Sequence, residues 1–537
     1  MKKLIIFILF AFVFAGCDDS TKIDSCGDGI VDPDEECDLD NMGGVSCSSM
    51  GYYDGNITCG DDCKLVYNCS ERCGDGQING NETCDGTNIT ISDCTEITGS
   101  DYVSGTVTCA SNCQYDISQC VSEGCGNGVI DDNEDCEESD LNGGTCADFG
   151  FGGGILTCNR SCQFDTSGCI HTFNQITAGS WHYCGLDTNG NAWCWGSNIE
   201  RQIGDGNPDE HRTEPSPVFM PQGISFRQIS AGEFHTCAVD TDDRIWCWGL
   251  NSSGQLGTGD TNSSSVPVPL FDVYDGINPV TFTQVSAGAY HTCAISSDQN
   301  LWCWGDNTQK QVQNSSSSQS VLPTKYFAPG ILFVEAGGFF NFAASSMTVA
   351  WGSNSNGELG IGSTGAPQGS FITHPAVFFQ QLSCGSYHSC GLRTSGEAQC
   401  WGKNDSGQIG NGTESYYVFV MTDITLPLNV TFTSVQAGAY NHSCGVTDTG
   451  KVYCWGDNGW GHLGNGGNIS SSGPVSIEHP EDISFMEVAT GYSSTCALDS
   501  NREVWCWGEN SDGELGDGTQ TSSPIPVKVL MPQPLPF

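Results

Sequence analysis

The pair Trp-Gly recurs at Trp195, Trp248, Trp304, Trp351, Trp401, Trp455 and Trp507, at spacings of 53, 56, 47, 50, 54 and 52 residues. A period of about 50 residues signals a propeller or solenoid of stacked units. Each unit offers three short apolar runs, as in "FRQISAG", "TCAVD" and "RIWCWG", then a Gly-rich turn, then a Pro-containing run such as "SSVPVPLF". Four strands per unit predict an all-β chain, with a seven-bladed β-propeller over residues 173–537.

Within each unit the runs alternate. Cys237, Val239, Ile245 and Cys247 point to one face of a hairpin, and Ala238, Trp246 and Trp248 to the other. Both faces are apolar, which suits a blade sandwiched between two neighbours. If Cys237 opposes Cys247, residues Thr241, Asp242 and Asp243 form a three-residue loop, and the third position holds Gly190, Gly396 and Gly450 in sister units, as a left-handed residue requires. Opposed cysteines on such a pair lie within disulfide reach. The same reading pairs Cys184 with Cys194, Cys293 with Cys303, Cys390 with Cys400, Cys444 with Cys454, and Cys496 with Cys506. In the fourth unit, "NFAASSMTVAWG", both cysteines are missing together, and Ala343 and Ala350 are expected in their places.

The chain holds 32 cysteines. Eighteen fall in three modules of six, at 26–69, 73–120 and 125–169, opening "CGDGIVDPDEECD", "CGDGQINGNETCD" and "CGNGVIDDNEDCE". Modules this small cannot bury enough apolar surface alone, so three bridges each substitute for a core, with fifteen pairings open per module. Paired C-x2-C zinc knuckles are absent. Their openings align oxygen-bearing side chains: Asp28, Asp32, Asp34, Glu35 and Asp38; Asp75, Asn79, Asn81, Glu82 and Asp85; Asn127, Asp131, Asn133, Glu134 and Glu137. Such hard ligands point to calcium, although the spacing is not that of an EF-hand; no other cofactor is expected. Cys384 is left over and stands where other units have Ala, so a buried free thiol is expected there.

The chain opens "MKKLIIFILFAFVFAGCDDS": two lysines, a short apolar run, then small residues and Cys17. The run is too short to span a bilayer and reads as an export signal. "FAGC" resembles a bacterial lipoprotein signal, which implies a signal peptide at 1–16, lipidation of Cys17, a tether at 17–25 and attachment to a membrane through the lipid. Export to an oxidising compartment, the cell surface or periplasm, agrees with the cysteine usage. A formal charge of −47, from 64 acidic and 17 basic residues, argues against nucleic acid as a partner.

The modules resemble the cysteine-rich repeat of myxobacterial and related surface proteins, with its "CGDG...E.CD" start. The unit "V.AG..H.CAL...G.VWCWG.N..GQLG" resembles the repeat of the regulator of chromosome condensation family over 173–537, which implies a seven-bladed ring. In that family terminal strands commonly meet in one blade, so "SPIPVKVLMP" is expected to pair with the first blade. The founding eukaryotic member exchanges nucleotide on a small nuclear GTPase and binds chromatin, but none of those functional positions maps onto this sequence.

The histidines His182, His235, His291, His388 and His442, with Asn341 and Ser494 expected at the same register, sit one per unit and argue architecture rather than catalysis. No G-x-S-x-G, H-E-x-x-H, Walker or dinucleotide motif is present. A non-catalytic binding or display protein contacting a protein or glycan is therefore expected, with Tyr416, Tyr417 and Trp460 as contact aromatics in variable loops. A polysaccharide-active propeller enzyme with paired carboxylates is the alternative, and nucleotide exchange rests on family analogy alone.

Overall fold

The computed structural model describes residues 52–59, 64–72, 77–78, 82–97, 102–111, 113–122, 125–126, 130 and 134–149, then residues 151–531 with breaks at 276–277, 313–316, 327–329, 375–377, 428–429 and 480–482. Two compact units divide the chain: Met1–Gly143 with Thr157–Asp165, and Gly144–Leu156 with Thr166–Phe537. Cys17 and the signal lie outside the described residues.

The second and third cysteine modules follow one bridging plan among the described residues. The second cysteine joins the fourth in Cys84–Cys109 and Cys136–Cys158, the third joins the sixth in Cys94–Cys120 and Cys146–Cys169, and the first joins the fifth in Cys125–Cys162. The sulfurs themselves are the core: Cys84, Cys94, Cys136 and Cys162 are fully buried, and few large apolar side chains are.

Among the described residues of the second unit, seven antiparallel sheets of four consecutive strands each form the blades, at 173–217, 226–269, 282–326, 333–374, 379–423, 432–476 and 485–528. The alternation read from the sequence holds. Ala238 and Trp248 pack against Cys184 and Cys194 of the preceding blade, while Cys237, Val239 and Cys247 pack under Trp304 of the next.

Ring closure differs from the expectation. The strand Ser523–Lys528 pairs with Val504–Gly508 inside its own blade, so no strand is exchanged. The chain enters at a first strand and leaves at a fourth, which completes every blade in sequence. Closure is face to face instead: Phe173, Ile176, Tyr183 and Trp195 of the first blade pack on Cys496, Leu498, Val504 and Leu515 of the seventh.

Polar groups tie each blade to the next at two levels. Gln175 Nε2 donates to Ile229 O at 2.9 Å and Gln175 Oε1 accepts from Ile229 N at 3.1 Å, an arrangement repeated by Gln228 on Val285 and by Gln284 on Val334. Farther out, every repeat tryptophan donates its indole N–H to the carbonyl of the Gly-rich turn before it, as Trp248 does to Gln202 at 2.9 Å. The link from Trp195 to Glu514 O, also 2.9 Å, carries this belt across the closure.

The six hairpin pairs are disulfides, each joining directly opposed residues, as at Cys237 and Cys247. The fourth blade departs from the expected alignment by one residue. Phe342 faces Ala350, whereas Ala343 faces Val349, so Phe342 and Ala350 fill the bridge positions. Phe340, opposite Gly352, holds the histidine place rather than Asn341. The shorter hairpin loop accounts for the slip. Asp243, with φ 63°, takes the left-handed third loop position that Gly190, at φ 81°, takes in the first blade.

Replacing Cys237 and Cys247 together by alanine is expected to lower stability by about 2–4 kcal/mol, because closing a loop of this size restricts the unfolded chain and the vacated sulfur volume is not refilled. Urea unfolding of the double variant under oxidising conditions checks this; an unchanged midpoint would show that the bridge contributes nothing.

Candidate functional site

In each blade the first and second strands are joined by a tight turn after a glycine, and the connection from third to fourth strand leaves at the same end. Antiparallel order therefore gathers both sets of loops on one rim and the hairpin loops on the other. A hydrogen bond fastens the two sets together, as from Leu250 N to Phe234 O at 3.0 Å and from Asp306 N to Tyr290 O at 2.8 Å. The turn has no room for bulk at its start: a Cβ on Gly179 would lie 2.3 Å from both Gly232 O and His182 Cε1.

Every one of these turns carries an aromatic residue, and together they crown the mouth of the ring. Trp181, Phe234, Tyr290, Phe339 and Tyr387 precede the histidine register directly; Tyr440 stands in a turn one residue longer, and Tyr492 one place earlier. All seven are half-buried. Ring centroids are 4.3 Å apart for Trp181 and Tyr492, 4.3 Å for Tyr492 and Tyr440, 6.2 Å for Tyr440 and Tyr387, 6.0 Å for Phe339 and Tyr290, and 5.4 Å for Tyr290 and Phe234. The ammonium of Lys403 sits 5.0 Å from the Tyr440 ring and 5.4 Å from the Tyr387 ring.

Glu233 is the acid of this mouth. Desolvation pushes its carboxyl up to about 7. Burial, and then the Glu233 charge, raise the phenols of Tyr290 and Tyr387, and Glu200 and Asp306 add to the effect on Tyr290. Below the crown a cavity of about 150 Å³ runs between the first strands, lined by Thr177, Ser230, Ser286, Glu335, Cys384 and Gln436. Burial pushes Glu335 up to about 8.

Cys384 is the free thiol expected from the count, but it is half-buried on this cavity rather than enclosed in a blade. The first strand turns that register toward the axis. Burial, then Glu335, hold the thiol well above its usual range, so it stays protonated and weakly nucleophilic.

The histidines are structural. Thr236 Oγ1 donates its one proton to Gln202 O at 3.0 Å, so at 2.9 Å from His182 Nε2 it accepts. His182 is thus the neutral Nε2–H tautomer. His235 repeats this on Thr292, His291 on Asn341, His388 on Ser443 and His442 on Thr495. The Nδ1 atoms of all five are buried without a hydrogen-bond partner. Desolvation lowers His182, His235 and His388 to about 3 and His291 to about 4.

Of the anticipated contact aromatics, Tyr416, Tyr417 and Trp460 lie on or beside the loops of the crowned rim, at its periphery, with relative exposures of 75%, 37% and 55%. Among the calcium candidates, Glu82 and Asp85 come together beside Cys113, and Glu134 and Glu137 beside Cys125 and Cys162, ligand atoms in each group lying within 4.8 Å of one another. These sulfurs are in disulfides and offer no thiolate. Asp28, Asp32, Asp34, Glu35, Asp38, Asp75, Asn79, Asn81, Asn127, Asp131 and Asn133 lie outside the described residues. Sequence reasoning missed the crown, although its signal was visible in "SWH", "EFH", "AYH", "SYH" and "AYNH".

Seven like blades, tied by tryptophan and histidine belts and stapled by hairpin disulfides, define a repeat propeller with an aromatic mouth. Models of the regulator of chromosome condensation (RCC1) repeat match residues 173–202, 226–255, 282–311, 379–408, 432–461 and 487–514, and a longer form matches 189–239, 242–295, 449–498 and 503–535. The chain belongs to the RCC1 repeat family. Neither form matches 312–378, where the fourth blade lies without the register histidine or the bridge. Ultraviolet-B receptor UVR8 of Arabidopsis thaliana is 26% identical over 362 residues, 66% of this chain and 69% of its own length. RUG3, a mitochondrial RCC1 domain-containing protein of the same plant, is 28% identical over 371 residues, 62% of this chain and 81% of its own. The fold is shared with human WBSCR16, at TM-score 0.57, 20% identity, 64% of this chain and 94% of that one. Yeast RCC1 (Prp20) bound to Kap60 gives 0.56 and 20% over 66% of this chain and 85% of that one.

Two sets of buried groups set the pH response. Glu335 and Glu514, both near 8, hold protons in the folded chain that they release when unfolded, so stability falls as pH rises from about 4.5 through 8. The histidines stay neutral when folded and charge when unfolded, so stability falls as pH drops below about 6.5. Between about pH 4.5 and 6.5 the two trends oppose each other, so a broad maximum there with steeper losses on both sides is expected in urea titrations. Glu335→Gln should flatten the alkaline limb and His235→Gln the acid limb.

Proposed function

We propose that the chain is an exported, lipid-anchored, non-catalytic binding and display protein whose propeller recognises a protein or glycan partner through the crowned rim. The observation that carries this is the crown itself. Seven aromatic side chains are held half-exposed at one mouth, in turns where the fold itself requires only small residues. Exposed aromatics over a rigid scaffold are the chemistry of contact surfaces.

The bridges support an oxidising compartment, since a cytosolic chain would keep such thiols reduced. The "FAGC" segment supports lipid attachment at Cys17. Among the described residues no helix is long and apolar enough to cross a membrane. The three modules lie in the sequence between the lipid-attachment segment and the ring. The buried histidines are spent on blade-to-blade hydrogen bonds, which favours binding over catalysis.

A photo-crosslinking residue at Phe234, in the crown, is expected to capture a discrete partner on intact native cells. The same residue at Asn501, exposed in a hairpin loop of the opposite rim, should capture nothing. Equal capture, or none from Phe234, would count against this rim as the contact surface.

A further inference from the structure

The chemistry of the mouth specifies its partner further, given that this rim is the contact surface. We infer that the crown binds a basic peptide segment, a Lys or Arg side chain lying against the aromatic faces with its charge directed at the Glu233 carboxyl.

The rim already performs this recognition once. The Lys403 ammonium lies over two crown rings and pairs with Asp405 at 3.0 Å. An aromatic face attracts a cation through its negative quadrupole, most strongly where water is excluded. The Lys403 arm occupies only the Tyr387–Tyr440 part of the crown. On the far arc, Phe234, Tyr290 and Phe339 form a second run of contacting rings. Glu233 belongs to that arc, next to Phe234 in the chain and lining the axial cavity. Among the described residues no Lys, Arg or His lies within 4.0 Å of its carboxylate. The far arc therefore repeats the aromatic-plus-acid pattern of the Lys403 arm without the cation.

Charge selects against the other ligand classes. Glu200, Glu233 and Asp306 all act on Tyr290, so the arc carries a negative field that opposes an acidic partner. A neutral sugar stacks on aromatics equally well but brings no countercharge to the Glu233 carboxyl. A chain of net charge −47 also draws basic partners at long range.

Calorimetric titration of the intact, disulfide-bonded protein with a lysine-rich peptide tests this, beside the same peptide with every lysine Nε-acetylated, which removes the charge and keeps the stem. Acetylation is expected to weaken binding roughly 3- to 30-fold. Glu233→Gln, checked for an unchanged unfolding midpoint or a raised one, should weaken the lysine peptide comparably. Lys403→Met, which removes a like charge from the rim and vacates the Tyr387–Tyr440 arm, should strengthen it. Equal binding of both peptides, no binding of either, or weaker binding to the Lys403→Met variant would overturn the proposal. If the Phe234 crosslinker still captures a partner in those cases, the contact surface stands and only its cationic specificity falls. If it captures none, the surface falls as well.

Discussion

Burial of both faces of every sheet is the constraint on which the ring depends. A blade with water on one side can leave polar groups to the solvent, but here each indole N–H, imidazole and backbone amide between blades must find its partner on the neighbour. The chain answers with one repeated exchange. The carbonyl of the Gly-rich turn accepts from the next blade's indole and from a hydroxyl or amide beside it, and that group accepts from a histidine of its own preceding blade, as in Trp248, Thr236, His182 and Gln202. Four groups from two blades are linked by three hydrogen bonds in a dry interface, which leaves the imidazole Nδ1 without a partner. One blade's sequence is therefore written partly by its neighbour, and that dependence keeps the seven units alike.

The same constraint explains the blade that departs. Where the fourth blade has Phe340, no imidazole from that register reaches across to the fifth, and Ser389 bonds to Glu358 O at 3.2 Å and to the Cys384 thiol. Phe340 and Phe342 fill the space with apolar volume, packing on Leu359, Phe379 and Trp401. Only the histidine leg of the exchange is replaced: Trp401 and Ser389 still donate to Glu358 O, so losing the imidazole leaves no orphaned donor on the fifth blade. The register histidine and both cysteines thus disappear together.

Strands and hairpins were legible because period-two alternation and opposed cysteines fix register directly. Cys237 and Cys247 needed only a loop count, and the structure agrees with it. The fourth blade was misaligned by one residue because its shortened loop removes the glycine that anchors the count elsewhere; aligning on Gly337, three residues before Phe340, gives the observed register. The terminal strand was misplaced because family habit stood in for an observation: nothing in "SPIPVKVLMP" says which sheet edge it joins. Cys384 was placed inside by analogy with alanine, but the first strand shows alternate residues to the axis, and a small residue there reports crowding around the cavity as much as a closed core.

The crown is easily overlooked in the sequence for a different reason, and that reason bears on its role. Turn residues carry no alternation, so an aromatic in a turn looks like loop drift until symmetry brings seven of them to one mouth. Architecture does not demand them. The backbone bonds around the axis, such as Glu233 N to Gly288 O at 3.2 Å and Tyr492 N to Ser180 O at 2.8 Å, involve no side chain. The registers are not uniform either, since Tyr440 and Tyr492 reach the ring from different places in their turns yet stack at 4.3 Å. An aromatic kept by packing alone would hold one register, as the buried tryptophans do. Arriving at the same place by three routes, at half exposure, is the pattern of residues whose position at the surface matters more than their position in the repeat.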